Sequence, residues 1–258
     1  MSCYLEQPPH PRCQSMSNSF LVIGGSSDIG LILCQQLVEN GYTVTILARD
    51  HSRVDDLEKA GARIIIGDSL NEDDVTMAVQ TALDAGNGKI SGIAHLVGSL
   101  AIRPPHAMDI NSFEEVIQTN LTSSFITLSK GCKTMIRNGG GRIVFTSSVA
   151  ASLGLVNHEA IAAAKGGVEA MVRSAAATYS KRGIRVNAVA PGLTNTRMAE
   201  TILRSEASKK SAIDMIPMNR INQPEEVSST IFWLLTNAPD NITGQIINVD
   251  GGMAKARS

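Results

Sequence analysis

The stretch NHEAIAAAKGG, residues 157–167, ends a run of small apolar residues on one lysine, Lys165, with Ile161 four positions earlier and His158 seven. A single lysine in an alanine helix is either a surface residue or a group with a chemical task. His158 draws attention because an imidazole can act as an acid near neutral pH. If the helix already begins at 158, His158 and Ile161 share a face one turn apart, about 5.4 Å. Otherwise His158 is an exposed loop residue. The chemistry at Lys165 depends on what the rest of the chain builds around it.

A second cluster suits phosphates. VIGGSSDIG, residues 22–30, follows a strand-like run and opens a helix-like one, with Gly24, Ser26, Ser27, Ile29 and Gly30 in the turn. Glycines let backbone approach a ligand, and a helix N-terminus offers free N–H groups and a positive dipole end to a pyrophosphate. The strand–turn–helix setting is what gives a glycine turn its meaning. Asp28 puts a carboxylate close to where phosphates would lie. Aspartate tolerates left-handed backbone, so it can stand in for a glycine, with its side chain expected in solvent. At the end of the next strand, TILARD places Ala48 and then Arg49 where a dinucleotide fold reads the adenosine ribose. An arginine there accommodates a 2′-phosphate, which favours NADP(H) over NAD(H). The alternative is a solvated Arg49 with Asp50 as the reader.

These groups need a frame, and the pattern supplies one. Seven runs, FLVIG, YTVTILA, ARIIIG, GIAHLVG, GRIVFTS, IRVNAVA and GQIINVD, are strand candidates. Amphipathic segments separate them, such as IGLILCQQLVENG ended by Gly41 and NEDDVTMAVQTALDAG opened by Asn71. Nearly continuous apolar strands are covered on both faces, and alternating β and α implies a parallel sheet with right-handed crossovers. The expected fold class is α/β, one doubly wound Rossmann domain over 19–258. Residues 1–18, rich in proline and without an apolar core segment, read as a flexible extension and not as a signal peptide.

Composition excludes several functions. A chain of 258 residues with 43% apolar content suits one large domain. A net charge of −1 argues against a general role on nucleic acid or a membrane surface. No run approaches the ~18 apolar residues of a membrane span. The four cysteines lack CxxC spacing, which points to a reduced cytoplasmic protein without a structural metal.

Over residues 19–258 the chain resembles the short-chain dehydrogenase/reductase family. The resemblance rests on the glycine turn, GDSLNEDD at 67–74, QTNLTSSF at 118–125, GRIVFTSS at 141–148, the long run at 162–198 and TGQIINVDGG at 243–252. It implies that Asp68 meets the adenine and Lys165 the nicotinamide ribose. PGLTNT, with Pro191, Gly192, Leu193 and Thr196, would hold the carboxamide through the Leu193 backbone and Thr196. Asn120 would complete a water-bridged proton path to Lys165, and Ser148 would bind the substrate carbonyl oxygen. The resemblance also implies a homodimer or homotetramer packed through the Ala- and Gly-rich helix from about Glu159 to Ser180. A substrate lid would lie near 195–220, where Arg197, Arg204, Lys209 and Lys210 either bind an anionic carrier or form a solvated face.

Two departures matter. The family's Asn-Asn-Ala-Gly is HLVG here, with His95 and Leu96 in place of the asparagines. The family's general acid is a tyrosine four residues before the lysine, and that residue is Ile161. Losing a general acid costs about 10²–10⁴ in rate. Three readings stay open. His158 could replace the acid, at the seven-residue gap of the divergent enoyl-acyl-carrier reductases, whose His-x-x-Gly resembles HLVG. Water could protonate the enolate left by hydride addition to a conjugated thioester, as the likeness to dienoyl-CoA reductases suggests. Or the protein binds NADP(H) and a small-molecule ligand without turnover. The expected function is an atypical NADP(H)-dependent oxidoreductase on a small carbonyl or enoyl substrate, with the non-catalytic binder as the alternative.

Overall fold

The computed structural model describes residues 18–256. All but the last residue of the proline-rich extension therefore lies outside the described residues. The first half runs β1 (Ser19–Ile23), α1 (Asp28–Glu39), β2 (Thr43–Ala48), α2 (Asp55–Lys59), β3 (Arg63–Ile66) and α3 (Glu72–Ala85). It continues through β4 (Gly92–His95), α4 (Ile110–Ile117) and α5 (Ser123–Met135). The second half runs β5 (Gly141–Thr146), α6 (Glu159–Tyr179), β6 (Ile184–Pro191), α7 (Glu200–Leu203), α8 (Glu206–Asp214), α9 (Pro224–Thr236) and β7 (Ile246–Val249). Each of the seven strand-like runs forms one of these strands.

The strands form one sheet in the order β3-β2-β1-β4-β5-β6-β7, every pairing parallel. This is a single doubly wound Rossmann-like domain. Side chains alternate across a strand, so β1 feeds two cores. Leu21 and Ile23 face the side covered by α3, α5 and α6, while Phe20 and Val22 face the side covered by α1 and α9. Local sequence sets the helix ends. Asn71 caps α3 by accepting from the amides of Asp73 and Asp74. Gly41 follows α1 at φ +77°, a left-handed conformation that glycine adopts without strain. Among the described residues, no helix is long and apolar enough to cross a membrane.

The chain reverses direction across the sheet between β1 and β4, and the crevice at their carboxyl ends is where such folds bind ligands. Gly24 sits there at φ +82°, and a Cβ on it would lie 3.0 Å from the Val97 amide nitrogen beyond β4. Gly30, inside α1, would place a Cβ 2.6 Å from the Gly24 carbonyl. Both glycines are required for the helix to start this close to the sheet.

Candidate functional site

The glycine turn delivers α1 to the crevice with its N-terminus open. Ser27 caps it, its hydroxyl accepting from the Gly30 amide at 3.0 Å. The amides of Asp28 and Ile29 remain in the first helical turn, where no intrahelical acceptor exists. This donor set, at the positive end of the helix dipole, fits a diphosphate.

Asp28 differs from both expectations. Its backbone is helical, the first residue of α1, and only Asn87, Asn157 and Asn219 among described non-glycine residues have positive φ. Its side chain is not in solvent but 20% exposed. One carboxylate oxygen accepts from the Arg53 guanidinium at 2.7 Å, the other from the Arg197 amide at 2.8 Å, and the Arg197 guanidinium lies 3.3 Å away. Arg53 also donates to the Ser26 carbonyl. Burial raises the Asp28 pKa, but the Arg197 amide and the two guanidinium groups outweigh it and hold the carboxyl below its ordinary range. The carboxylate thus brings two cations to the glycine turn, one from the loop after β2 and one from the segment before α7. A cavity of about 420 Å³ opens beside it, lined by Asp28, Thr196, Arg197 and Arg204 among others.

Arg49 is exposed at the end of β2. The Asp50 carboxylate accepts from the Ser52 hydroxyl at 2.8 Å and the Ser52 amide at 3.0 Å, and these bonds lower its pKa. Asp68 lies just past β3, half-buried, accepting from the Leu70 amide at 2.9 Å. After β6, Gly192 donates to the Val249 carbonyl and the Leu193 carbonyl accepts from Asn222. These bonds fix Pro191, Gly192 and Leu193 at the crevice. The Thr196 hydroxyl makes a 3.4 Å contact with the Thr194 carbonyl.

The centre of the crevice holds Lys165, which is 5% exposed and donates to the Thr146 carbonyl at 2.8 Å. Burial lowers its pKa to about 8. Asn120 stands opposite on a π turn, Gln118–Thr122, between α4 and α5. Such one-turn bulges are frequent at functional sites. Its side chain accepts from the Ser99 amide at 3.2 Å and donates to the Ser99 hydroxyl and the Val116 carbonyl. A Cβ on Gly98 would lie 2.9 Å from Asn120 Oδ1 and 3.4 Å from Lys165 Nζ. The bare Gly98 backbone is therefore where Asn120 and Lys165 meet. Ser148 follows β5 on the same edge, half-buried, and caps a short 3-10 turn (Val149–Ala151) that packs on α6.

Ile161 is 3% exposed and packs with Val116, Ala150, Ala160 and Ala164. The wall beside Lys165 on α6 is therefore apolar. His158 precedes α6, which begins at Glu159. Its Nδ1 lies 2.7 Å from the Val156 carbonyl, so Nδ1 is the donor. In the neutral ring that is the one proton, and Nε2 is left an acceptor.

His95 is locked. Its Nδ1 is 2.9 Å from the Thr127 hydroxyl and its Nε2 is 3.1 Å from the Ser123 hydroxyl. Ser123 gives its own proton to the Thr119 carbonyl at 2.6 Å. Nε2 must therefore donate to Ser123, and Nδ1 accept from Thr127. Burial, with the Lys165 charge behind it, lowers the His95 pKa to about 3. Sequence reasoning missed Arg53, whose partners lie 25 and 27 residues away, and the hydroxyl pair that holds His95.

Residues 24–254 match the family described as Enoyl-(Acyl carrier protein) reductase. The chain is 33% identical to the 3-oxoacyl-[acyl-carrier-protein] reductase MabA of Mycobacterium tuberculosis, over 92% of this chain and 93% of the relative. It is 34% identical to the 3-oxoacyl-[acyl-carrier-protein] reductase of Synechocystis, over 90% and 95%. The structure of a short-chain type dehydrogenase/reductase from Mycobacterium ulcerans superposes with a TM-score of 0.87 at 31% identity, covering 94% of this chain and 91% of that one. With sheet order, glycine turn and central lysine already in place, the chain belongs to the short-chain dehydrogenase/reductase family of oxidoreductases.

Proposed function

We propose that the protein is an NADP(H)-dependent oxidoreductase acting on a small carbonyl or enoyl substrate, with Ile161 where the family carries its tyrosine acid. The carrying observation is the convergence of Lys165 and Asn120 on the bare backbone of Gly98, within the crevice that the phosphate turn enters. When bound, NADP(H) supplies or accepts the hydride. The amides of Asp28 and Ile29 hold its pyrophosphate, Arg49 its 2′-phosphate and Asp68 its adenine. Lys165 holds the nicotinamide ribose, and Leu193 backbone with Thr196 the carboxamide. Ser148 receives the substrate oxygen.

The names of the two acyl-carrier-protein reductases, each over nine-tenths of its length, support a 3-oxoacyl thioester as substrate class, and the description of the matched family supports a 2-enoyl one. One observation favours the second reading, a binder without turnover. Ile161 is closed into an apolar cluster and offers no proton.

Titration with NADPH and NADH, followed by turnover of both thioester types, tests the proposal. NADPH binds several-fold more tightly than NADH, and Arg49→Ala removes most of that difference because a charge-assisted phosphate contact is lost. Equal affinities in the unmutated protein defeat the cofactor assignment. Tight NADPH binding without turnover on either thioester selects the binder.

A further inference from the structure

We propose that Lys165 itself delivers the proton that completes reduction at this site. The inference rests on the oxidoreductase reading and names the group that reading leaves open. In the step, the substrate carbon gains a hydride from the reduced nicotinamide, and its π pair moves to the carbonyl oxygen. That oxygen forms a bond to a proton from Nζ as the N–H bond breaks. An alcohol, an oxidised nicotinamide and a neutral amine remain, and the amine recovers its proton from water.

Exclusion and geometry carry the argument. Ile161, one turn before Lys165 on the same face of α6, has no exchangeable proton. The His95 ring is neutral, and both its nitrogens are engaged by hydroxyl groups. His158 stands before the start of α6, with its Nδ1 held at the Val156 carbonyl. The Ser148 hydroxyl, an ordinary alcohol, accepts from the Ala150 amide at 3.2 Å. Lys165, in contrast, has three N–H donors and gives one to Thr146. The absent side chain at Gly98, 3.4 Å from Nζ, keeps the approach to the ammonium open.

The charged groups on the elements packed around it do not compete. Glu169 on α6 accepts from the Ser147 hydroxyl at 2.8 Å, with Arg173 at 3.8 Å from its other oxygen. Glu114 and Glu115 on α4 are exposed. On α5, Lys130 pairs with Glu72, and Lys133 is exposed. Arg142 and Arg185 lie at the opposite ends of β5 and β6, bonded to Asp240. Desolvation weakens the ammonium, bringing its pKa to about 8, close enough to neutrality to release a proton and recover it.

The test compares Lys165→Arg with the unmutated protein, using NADPH with an acetoacetyl thioester and a crotonyl thioester. Arginine keeps the charge and the donors but does not give up a proton near neutrality. The expected result is a kcat at saturating NADPH lowered by about 100-fold or more, whatever the change in the NADPH dissociation constant. In the unmutated protein kcat is full below pH 8 and falls as the pH rises through it. A second variant guards against misfolding: turnover by Lys165→Gln is partly restored by methylammonium, added as an external acid. A readout without turnover is ¹³C NMR of the reductively methylated, cofactor-free protein, with one lysine signal titrating near 8 and missing from Lys165→Arg. Lys165→Arg with kcat within tenfold of normal, a kcat flat across pH 7–10, or the absence of that signal overturns the proposal. An unmutated protein that binds NADPH but reduces neither thioester also overturns it. That outcome defeats the oxidoreductase reading as well, whereas the first three leave it standing.

Discussion

Placing a phenol at position 161 isolates the proton from everything else in the crevice. Ile161→Tyr puts a hydroxyl one helical turn from Lys165 and beside the 3-10 turn that Ser148 caps. The cost follows from the packing. Ile161 is 3% exposed, and its buried neighbours are Val116 and three alanines, Ala150, Ala160 and Ala164. Overfilling such a wall costs about 1–3 kcal/mol. The outer neighbours, Leu100, Met108 and Leu155, are only partly buried and have room to shift, which favours the lower end. At about 2–4 °C per kcal/mol for a domain of this size, the melting temperature falls by a few degrees and the fold survives. Ile161→Phe carries the same packing cost without the hydroxyl and is the control. Both variants bind NADPH like the unmutated protein, since no cofactor donor has changed. With an acetoacetyl thioester, Ile161→Tyr turns over about 10²-fold faster than Ile161→Phe, the low end of what a general acid contributes. Two folded, NADPH-binding variants with equal kcat refute the reasoning, because a phenol at 161 would then add nothing to the proton that Lys165 delivers.

Two further outcomes follow from charges that the fold keeps away from water. Asp28→Asn loses the attraction of two guanidinium groups, roughly 1 kcal/mol after allowing for the solvent that reaches them. Because the folded pKa of Asp28 is lowered, that stability is present above the ordinary aspartate pKa and lost as the pH falls through the lower folded value. Urea melts at pH 7 and pH 3 check it, and a difference that persists unchanged at pH 3 contradicts the assignment. Lys165→Met keeps an apolar stem and removes a buried charge, so the cofactor-free variant is more stable at pH 7 by on the order of 1–3 kcal/mol, yet NADPH no longer raises its melting temperature. The gain is full below the folded value of about 8 and fades as the pH rises toward the ordinary lysine value of 10.5, which urea melts at pH 7 and 10.5 measure.

The fold was legible because its signals are local. Each strand is a short apolar run that both covering layers require, and Asn71 and Gly41 end their helices by bonds within a few residues. The glycine turn was legible for the same reason. Asp28 was misread because its conformation and partners are decided elsewhere. Its backbone follows from the Ser27 cap, while its carboxylate is claimed by Arg53 and by Arg197, 169 residues away. No periodicity carries such a contact. The π turn at Asn120 is equally silent, since its extra residue per turn emerges only in packing. His95 lay between: its strand end was readable, but its tautomer depends on which proton Ser123 gives to Thr119.

Lys165 and Asp28 pose the same energetic question with opposite answers. A buried charge needs partners, or the fold carries its desolvation cost. Asp28 has three donors within the chain and is satisfied without a ligand. Lys165 has one neutral carbonyl acceptor, Thr146, and a pKa displaced in the direction that marks an underserved cation. Folding alone gives no reason to keep a lysine there, since a methionine would fill the same space at lower cost. A ligand with hydroxyl groups, such as a ribose, removes that cost on binding, so the instability stored at Lys165 becomes affinity. The Asp28 clamp, complete without ligand, holds two guanidinium groups beside the glycine turn.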